Sequence, residues 1–492
     1  MSVTDDFDLS PSRRNAALAT LAGTDPRFPV PAVAELLRDP VNARLLDYVY
    51  EEAFTHVFPG DDADYPPERF LADFGEELAR GEPLHLWTII PLCRYRCHFC
   101  QFPIMVLPAG GDRGRAKGSE WVDANIAEAK LWLAMVPELA RVPIGQFCLF
   151  GGTPTAVAMP DIARLVEFYT SNFTFTDASL LQAEGSPDSL TRTVIRQLSG
   201  LGFSELTYGM QTFDDRLLEV AHRRHSGADA RRVVAEAKEL GFERVDGDLL
   251  YGIPGQTVRG FLDDVRTMVE LDFDTVVAIK LHLRSFHDVD TAVGHETPAV
   301  WENPAVRREI AERGFRWPSL GEQFQMREQF DAALTAAGYL EYPATYFPKR
   351  SVGPEHWRSL NLDQDKQFPQ LGIGLGAYAW SNLSEANTHN SPRDYLAALD
   401  AGRLPLQSAT RISAPEREVR AVRMALSTCQ PLRDELHRAR FGGSSLFGPR
   451  WRPIFTDLTE RGLTVQDPAA GTITLTGPGR TLVEAIMATE IG

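Results

Sequence analysis

The chain contains 492 residues, of which 43% are hydrophobic and 24% are charged. These proportions are typical of a folded globular protein, and the length predicts roughly two to four domains. Acidic residues number 67 against 50 basic ones, and the formal net charge is −17. Such a charge repels phosphate backbones, so we expect no nucleic acid partner.

Membrane-spanning and secretory segments are not expected either. No stretch approaches the roughly 18 apolar residues that a membrane-spanning helix needs. Residues 1–14 lack the charged-then-apolar pattern of a signal peptide. The five cysteines, three of which are clustered, do not form a disulfide framework. We therefore expect a cytoplasmic protein with reduced thiols and no membrane partner.

Residues 1–83 are predicted to form a helical N-terminal extension. Within residues 31–54, apolar pairs recur at three- and four-residue steps, which is typical of an amphipathic helix, and Pro40 interrupts the pattern. This region carries no motif with a recognisable chemical role.

Residues 84–300 alternate strand-like and helical segments. The strand-like runs cover residues 84–90, 145–150, 180–185, 205–211, 244–252 and 275–283. This alternation predicts an α/β fold with a parallel sheet covered by helices. Six such units make a partial (β/α)6 barrel, because a closed barrel needs eight. Ligands of such folds bind at the C-terminal ends of the strands.

Three cysteines, Cys93, Cys97 and Cys100, follow the first strand. Thiolates hold iron–sulfur clusters, and a [4Fe–4S] cube takes four of them when the protein supplies every ligand. A loop with three cysteines therefore indicates a cube with one iron open to a small molecule. The alternative is a structural zinc knuckle with His98 as the fourth ligand, although no second ligand pair follows at finger spacing.

The next two strands end in motifs that suit ligand binding. Gly151, Gly152 and Thr153 follow the second strand, and two glycines let the backbone approach a ligand while exposed N–H groups bind a carboxylate or orient an amine. Glu184 ends the third strand. A carboxylate at the mouth of a barrel needs a cation or hydrogen-bond donors, whereas a surface position would need neither.

The fourth and fifth strands supply further polar residues. Gln211 closes the fourth strand, and Arg223 follows it. Asp248 lies in the fifth strand, and an Asp at a barrel mouth suits a ribose diol or an ammonium group.

In this order, the segments CxxxCxxC, GGTP, AEG, YGMQTF, DxDLLYGIPGQT and LGIGLGAYAW resemble the oxygen-independent coproporphyrinogen III oxidase (HemN-like) family of radical SAM proteins. The resemblance spans roughly residues 84–490. In that superfamily, S-adenosylmethionine (SAM) chelates the open iron, and one electron cleaves it to methionine and a 5′-deoxyadenosyl radical. The resemblance implies a [4Fe–4S] cluster, a small-molecule substrate, and an electron donor such as flavodoxin or ferredoxin.

The resemblance also assigns residue roles. Cys93, Cys97 and Cys100 would bind the cluster and, with Glu184 and Gln211, form the catalytic set. SAM would contact a second set of residues, and Gln211, Arg223 and Asp248 would line the same cavity. That second set comprises Gly151, Gly152, Thr153 and Glu184. A further set matches the family segment that binds a second SAM or the substrate, and comprises Gly374, Gly376 and Ala377.

The sequence departs from true coproporphyrinogen oxidases near the expected cluster and SAM sites. Phe102 stands where they carry a fourth cysteine, and Phe150 replaces the first glycine of the second-strand motif. Trp87, Ile89 and Pro91 occupy the positions of their Tyr-x-His-x-Pro motif. Trp87 and Ile89 replace the tyrosine and the histidine of that motif. Each change removes a polar side chain from beside the SAM site, which becomes more apolar.

These departures resemble the methyltransferase and cyclopropanase branch of the family, so we expect C-methylation or cyclopropanation of an unsaturated molecule, with a second SAM as carbon donor. An aromatic-lined, nearly dry pocket would protect the carbon radical. Its predicted walls are Trp87, Phe150, Tyr208, Phe213, Tyr378 and Trp380. The alternatives are an anaerobic decarboxylase of porphyrinogen type and a haem chaperone, whose haem ligands would come from His282, His287 and His295.

The rest of the chain is predicted to complete and cover the barrel. Residues 301–385 form a barrel-completing or linker segment, and residues 386–492 form an α+β, winged-helix-like cover. That cover lacks a basic recognition helix, which argues against DNA binding. Cys148 and Cys429 are expected to be buried as small apolar residues.

Overall fold

The computed structural model describes residues 11–48, 65–108, 111–281, 299–352 and 368–491. Its strands are β1 (Leu84–Ile90), β2 (Leu92–Cys93), β3 (Met105–Val106), β4 (Ile144–Gly151), β5 (Leu180–Gly185), β6 (Glu205–Gln211), β7 (Arg244–Tyr251), β8 (Thr275–Lys280), β9 (Tyr346–Pro348), β10 (Gln370–Gly374), β11 (Tyr378–Trp380), β12 (Ser384–Thr388), β13 (Leu406–Arg411), β14 (Leu432–Arg433), β15 (Thr464–Asp467) and β16 (Thr472–Leu475).

The helices of the described residues pack around these strands. They are α1 (Pro11–Leu21), α2 (Ala32–Leu36), α3 (Pro67–Leu78), α4 (Gly111–Met135), α5 (Met159–Asn172), α6 (Arg192–Gly200), α7 (Asp215–Val220), α8 (Gly227–Glu239), α9 (Val258–Glu270), α10 (Pro304–Glu312), α11 (Leu320–Ala336), α12 (Pro392–Asp400), α13 (Ala414–Ser427), α14 (Asp434–Arg440), α15 (Arg452–Glu460), α16 (Gly477–Thr481) and α17 (Val483–Thr489). Within the described ranges, no helix is both long enough and apolar enough to cross a bilayer.

One large sheet organises the molecule, with the strand order β13-β12-β11-β10-β1-β4-β5-β6-β7-β8-β9. The strands from β10 to β8 in that order run parallel, and the flanking strands are antiparallel. The six predicted barrel strands are all present, which confirms the predicted α/β class. Strand β10 adds a further parallel strand beside β1, because its backbone pairs with residues 85–89.

The two faces of the strands differ in polarity, as their two-residue period requires. On β4, Phe147 and Leu149 are fully buried in the main core. The alternate residues Gln146, Cys148 and Phe150 line a cavity on the concave side. The sheet therefore places polar and aromatic side chains around an interior space, while its convex face packs on helices.

The N-terminal extension packs in two separate places. Phe70 and Phe74 of α3 meet Trp132 of α4 with ring centroids 6.3 Å apart in both pairs. Leu21 and Leu46 instead belong to a second core, which is made largely of residues from the C-terminal region. The described part of the predicted extension contains α1, α2 and α3, and it shares its cores with the rest of the chain.

The C-terminal region contains a small sheet with the order β14-β16-β15, flanked by α15 and α17. Its hairpin of β15 and β16 between helices agrees with the predicted winged-helix-like pattern. The predicted boundary at residue 386 falls inside β12, which pairs with β11 and β13 in the large sheet. The division into four regions stays a prediction.

A buried carboxylate joins the helices to the added strand. Glu128 of α4 is fully buried. One of its oxygens accepts hydrogen bonds from the backbone N–H of Gly374 at 2.8 Å and from the hydroxyl of Tyr395 at 2.6 Å. The other accepts from the indole N–H of Trp132 at 3.2 Å. Burial raises the pKa of Glu128 to about 7 despite these three donors.

This shift predicts a pH-dependent stability. Because the folded-state pKa lies above the unfolded value of about 4.3, the folded protein binds more protons between these values, and stability falls as pH rises through them. Relative to E128Q, the free energy of unfolding of the wild type should fall by up to about 1.4 kcal/mol per pH unit from about pH 4.3 to 7. Urea unfolding at several pH values measures this difference.

The matched control is E120Q, because Glu120 lies exposed on the same helix. Its stability profile should run parallel to that of the wild type. Parallel profiles for E128Q and the wild type would show that Glu128 does not change its protonation on folding.

Candidate functional site

A cavity of about 820 Å³ opens at the C-terminal ends of the parallel strands. Most of the site residues predicted from sequence line this one space. They are Cys93, Cys97, Cys100, Gly151, Gly152, Thr153, Glu184, Gln211, Arg223, Asp248 and Gly376. The structure thus brings together residues that lie far apart in the chain, and their individual roles stay predictions.

Gly374 and Ala377 do not line this cavity. Gly374 adopts a φ of 131°, and a Cβ built on it would lie 2.3 Å from the carbonyl oxygen of Ile89. Ala377 is fully buried, and its N–H donates to the hydroxyl of Thr388 at 2.7 Å. Close packing of β10 on β1 is therefore sufficient to explain the glycine at position 374.

The cysteine loop is closed by a short parallel ladder between β2 and β3. The N–H of Leu107 donates to the carbonyl of Cys93 at 2.8 Å, and the N–H of Cys100 donates to the carbonyl of Cys97 at 3.2 Å. Burial raises the pKa of the Cys93 thiol to about 11 and that of the Cys100 thiol to about 12. Both thiols therefore keep their protons until a metal displaces them.

His98 is directed away from the cavity. The ring of His98 stacks on that of His222 at a centroid distance of 4.8 Å, and the backbone N–H of His98 donates to the carbonyl of Ala221 at 3.1 Å. In the described part of the chain, no three His, Cys, Asp or Glu side chains converge as ligands of one metal ion. A [4Fe–4S] cube instead takes each thiolate on a different iron. The donor set fits a cube with three protein ligands better than a zinc knuckle that uses His98.

The glycine motif after β4 supports the cysteine loop. The N–H groups of Gly152 and Thr153 donate to the carbonyls of Ile90 and Leu92 at 3.0 and 2.8 Å. A Cβ on Gly152 would lie 2.8 Å from the sulfur of Cys93. The expectation that these N–H groups are exposed to a ligand is wrong, because β1 and β2 already use them. Glycine is required here for a close approach to the cysteine.

Glu184 of β5 and Asp248 of β7 line the cavity. Burial raises the pKa of Glu184 well above its usual value, and the nearby Asp248 raises it further. Burial, followed by the charge of Asp246, raises the pKa of Asp248 to about 7. Buried carboxylates of this kind are stabilised by a cation or by hydrogen-bond donors, so this wall suits a positively charged ligand.

Arg223 connects the end of β6 to the cysteine loop. Its guanidinium donates to the sulfur of Cys97 at 3.3 Å and to the carbonyl of Gly209 at 2.6 Å. Beside it, Gln211 adopts a φ of 68° where the register of β6 and β7 shifts. Such strained backbone is concentrated at functional sites. A positive charge next to a cluster thiolate would favour the reduced state of the cluster.

Four of the six predicted aromatic residues line the cavity. Trp87 and Phe150 meet edge to face at 5.3 Å, and Phe102 packs on the other edge of Phe150 at 6.0 Å. The remaining lining members are Tyr378 and Trp380, while Tyr208 and Phe213 lie outside the lining. Phe102, which replaces a fourth cysteine, thus extends an aromatic wall beside the cysteine loop.

A polar layer deeper in the barrel was not predicted from the sequence. The amide of Gln146 donates to Gln182 at 3.1 Å, and the amide of Gln182 donates to the hydroxyl of Thr207 at 2.7 Å. Arg244 forms an ion pair with Asp246 at 2.7 Å. All of these line the cavity. Their alternate positions on the strands were the signal that could have identified them.

The two remaining cysteines are buried, as predicted. Cys148 also lines the cavity, and its thiol donates to the side-chain oxygen of Gln182 at 3.6 Å. The histidines considered as haem ligands, His282, His287 and His295, lie outside the described residues.

Residues 87–268 match the profile of the Radical SAM superfamily. This span covers the cysteine loop, the glycine motif, Glu184 and Asp248. These residues form a radical SAM domain. The cofactors of a radical SAM protein are a [4Fe–4S] cluster and SAM. The three thiols of the cysteine loop, together with Glu184 and Asp248, which favour a cationic ligand, fit this pair of cofactors.

The alignments with similar proteins cover most of the length of each relative. The haem chaperone HemW of Bacillus subtilis is 23% identical over 82% of this chain and 98% of its own. The oxygen-independent coproporphyrinogen III oxidase of Escherichia coli K12 is 27% identical over 67% of this chain and 70% of its own. The solved structure of coproporphyrinogen III oxidase (HemN) from E. coli is 22% identical, covers 87% of this chain and 94% of its own, and has a TM-score of 0.72.

These findings support a HemN-like radical SAM protein with the α/β fold of that structure. They do not support the narrower expectation that the chain lies in the methyltransferase and cyclopropanase branch. That expectation rested on the apolar replacements at Trp87, Ile89 and Phe102, which change the wall of the cavity but do not by themselves define a reaction.

The contact between Gly152 and Cys93 gives a test of the cysteine loop. Gly152→Ala places a methyl group against the sulfur, so the thiol must move and cluster binding should weaken. After anaerobic reconstitution, we expect iron and sulfide per chain to fall by at least half. Gly200→Ala is the control, because a Cβ there meets nothing within 4 Å. Full iron content in G152A would show that the loop tolerates the displacement.

Proposed function

We propose that this protein is a radical SAM enzyme of the HemN type that oxidises a small molecule held in the barrel cavity. Cys93, Cys97 and Cys100 would hold the cluster. When bound, the cluster and SAM supply a 5′-deoxyadenosyl radical, which removes a hydrogen atom from the substrate. The observation that carries this proposal is the convergence of the three thiols, the two carboxylates and the aromatic wall on one cavity.

Each group of residues that lines the cavity would have a separate role. Glu184 and Asp248 would bind the positively charged groups or the ribose of SAM, because burial disfavours their own charge without such a partner. Arg223 would orient the cysteine loop through its hydrogen bond to Cys97. Trp87 and Phe150 would exclude water from the reacting carbon. A second SAM or the substrate would lie near Gly376, which also lines the cavity.

The comparisons fit a coproporphyrinogen oxidase or a haem chaperone better than a methyltransferase, and of these we infer oxidative decarboxylation of porphyrinogen type. After hydrogen abstraction beside a carboxylate-bearing carbon, loss of carbon dioxide and of one electron to an acceptor would leave a carbon–carbon double bond. A flavodoxin or ferredoxin would reduce the cluster. Because a cluster of this kind is sensitive to oxygen, we place the activity in a reducing compartment such as the cytoplasm.

Haem trafficking is the second candidate, because the similarity to HemW covers nearly all of that chaperone. C-methylation, which the aromatic residues of the cavity first suggested, is the third candidate, and it would yield S-adenosylhomocysteine in addition to 5′-deoxyadenosine. An anaerobic assay separates the three. Reconstituted protein is incubated with reductant, SAM and coproporphyrinogen III, and 5′-deoxyadenosine, S-adenosylhomocysteine and carbon dioxide are measured. A parallel incubation with haem in place of coproporphyrinogen III measures haem uptake.

We expect deoxyadenosine and carbon dioxide without S-adenosylhomocysteine. Deoxyadenosine together with S-adenosylhomocysteine would indicate methyl transfer. Stoichiometric haem uptake with no deoxyadenosine would indicate the chaperone and contradict the proposed enzyme.

Cysteine substitution tests which sulfurs matter. Cys97→Ala should abolish the cluster and reduce deoxyadenosine formation by at least a hundredfold, because the remaining thiols cannot hold three irons. Cys148→Ala is the matched control, since this buried thiol lines the same cavity but lies outside the cysteine loop. Iron content and chromatography of the products measure both effects. Equal losses in the two variants would mean that the loop has no special role.

A further inference from the structure

The side of the cysteine loop that is turned away from the cavity packs against the turn after α7. The first residue of this turn with left-handed backbone is His222, which has a φ of 58°. The N–H of His222 donates to the carbonyl of Glu219 at 3.0 Å, and the N–H of Arg223 donates to that of Leu218 at 2.8 Å. These two bonds form a Schellman motif, which ends a helix and changes the direction of the chain. The motif therefore fixes where residues 222–224 leave the helix.

The stacked rings of His98 and His222 join this turn to the cysteine loop. Nδ1 of His222 lies 2.8 Å from the carbonyl oxygen of Arg96, and the backbone N–H of Trp301 donates to the carbonyl of His98 at 3.0 Å. His222 is exposed, whereas His98 is partly buried and follows Cys97 directly in the chain. The two histidines thus connect the protein surface to the cysteine loop through packed side chains.

Two exposed arginines lie beside this histidine pair. Nη1 of Arg94 donates to the backbone carbonyl of Asp188 at 2.9 Å, and the guanidinium of Arg224 lies 4.9 Å from the centre of the Tyr95 ring. That ring also meets the ring of His222 edge to face at 6.0 Å. Within the described ranges, neither guanidinium forms an ion pair with a carboxylate. We call Arg94, His222 and Arg224 the basic face.

The basic face contrasts with the charge of the chain as a whole, which is −17. Residues 91–108 and 221–226 form the loop and the turn, and they contain arginines but no aspartate or glutamate. Two neighbouring carboxylates already have partners, because Asp188 accepts two hydroxyl hydrogen bonds and Glu219 forms an ion pair with Arg313 at 3.1 Å. A small positive area on an acidic protein fits a small acidic protein, whereas the surrounding surface would repel a long polyanion.

We propose that the basic face docks an acidic one-electron carrier protein, which reduces the cluster from the side of the cysteine loop that is turned away from the cavity. The proposal rests on the proposed function, because cleavage of SAM requires one electron. It adds the surface at which that electron enters and the charge of the partner. The carrier loses one electron and the cluster gains it, so the transfer needs no further reactant. Electron-transfer partners associate through interfaces below about 1,200 Å², so a small face is sufficient.

The test compares flavodoxin, a small acidic flavoprotein, with reduced methyl viologen, a small cationic reductant. Cluster-loaded protein is prepared anaerobically, without SAM or substrate. Calorimetry measures binding of oxidised flavodoxin, and stopped-flow absorbance measures reduction of the cluster by each reductant. The variants are Arg94→Gln, Arg224→Gln and the double variant. The controls are Arg224→Lys, which keeps the charge, and Arg403→Gln, which changes an exposed arginine just after α12.

At about 10 mM salt, we expect each glutamine variant to weaken flavodoxin binding about threefold and the double variant about tenfold, because complementary charge speeds association. Reduction by flavodoxin below saturation should slow by the same factors, whereas reduction by methyl viologen should stay within about twofold. At about 0.3 M salt, where charges more than roughly 6 Å apart are screened, the variants should approach the wild type. R224K and R403Q should stay within about twofold of the wild type throughout.

Equal binding of flavodoxin by the wild type and the double variant at low salt would overturn the proposal. Wild-type binding that does not depend on salt, or no binding at all, would do the same. Equal slowing with both reductants, or an equal loss in R224K and R224Q, would also overturn it, because either result indicates a disturbed cysteine loop rather than lost charge. No substrate is present in these measurements. A failure of the basic face is therefore distinguishable from a failure of the proposed decarboxylation.

Discussion

The site depends on one close contact, in which the end of β4 lies directly against the cysteine loop. Gly152 donates its N–H to Ile90 and leaves no room for a side chain beside the sulfur of Cys93. This contact fixes the first cysteine relative to the barrel. The β2–β3 ladder and Arg223 then constrain the rest of the loop. The position of the proposed cluster is thus set by backbone packing more than by the cysteines themselves.

Around this loop, the barrel arranges charge in an order that suits the chemistry. Glu184 and Asp248 have raised pKa values because they are buried, so a cationic cofactor would restore their charged forms. Binding of a cationic cofactor would thus relieve a cost that burial of these two carboxylates imposes on the folded protein.

Much of this arrangement could be predicted from the sequence because it is local. The alternation of strands and helices predicted the barrel, and β5 and β6 begin and end at the predicted residues. The position of β10 could not be predicted, because a short glycine-rich segment has no strand pattern and pairs with residues nearly 300 positions away. The same limit applies to Gly374, whose role depends on contact with Ile89. It applies equally to the polar layer of Gln146, Gln182 and Thr207, which tertiary packing alone assembles.

The central claim is that SAM binds an iron that no protein sulfur occupies. Electron paramagnetic resonance of the reduced, anaerobically reconstituted protein measures this directly, with spectra recorded before and after addition of SAM. If SAM coordinates the cluster, the g-values of the reduced [4Fe–4S] signal will shift and the signal will change shape. An identical spectrum with and without SAM, or a colourless protein that contains zinc in place of iron, would contradict the claim.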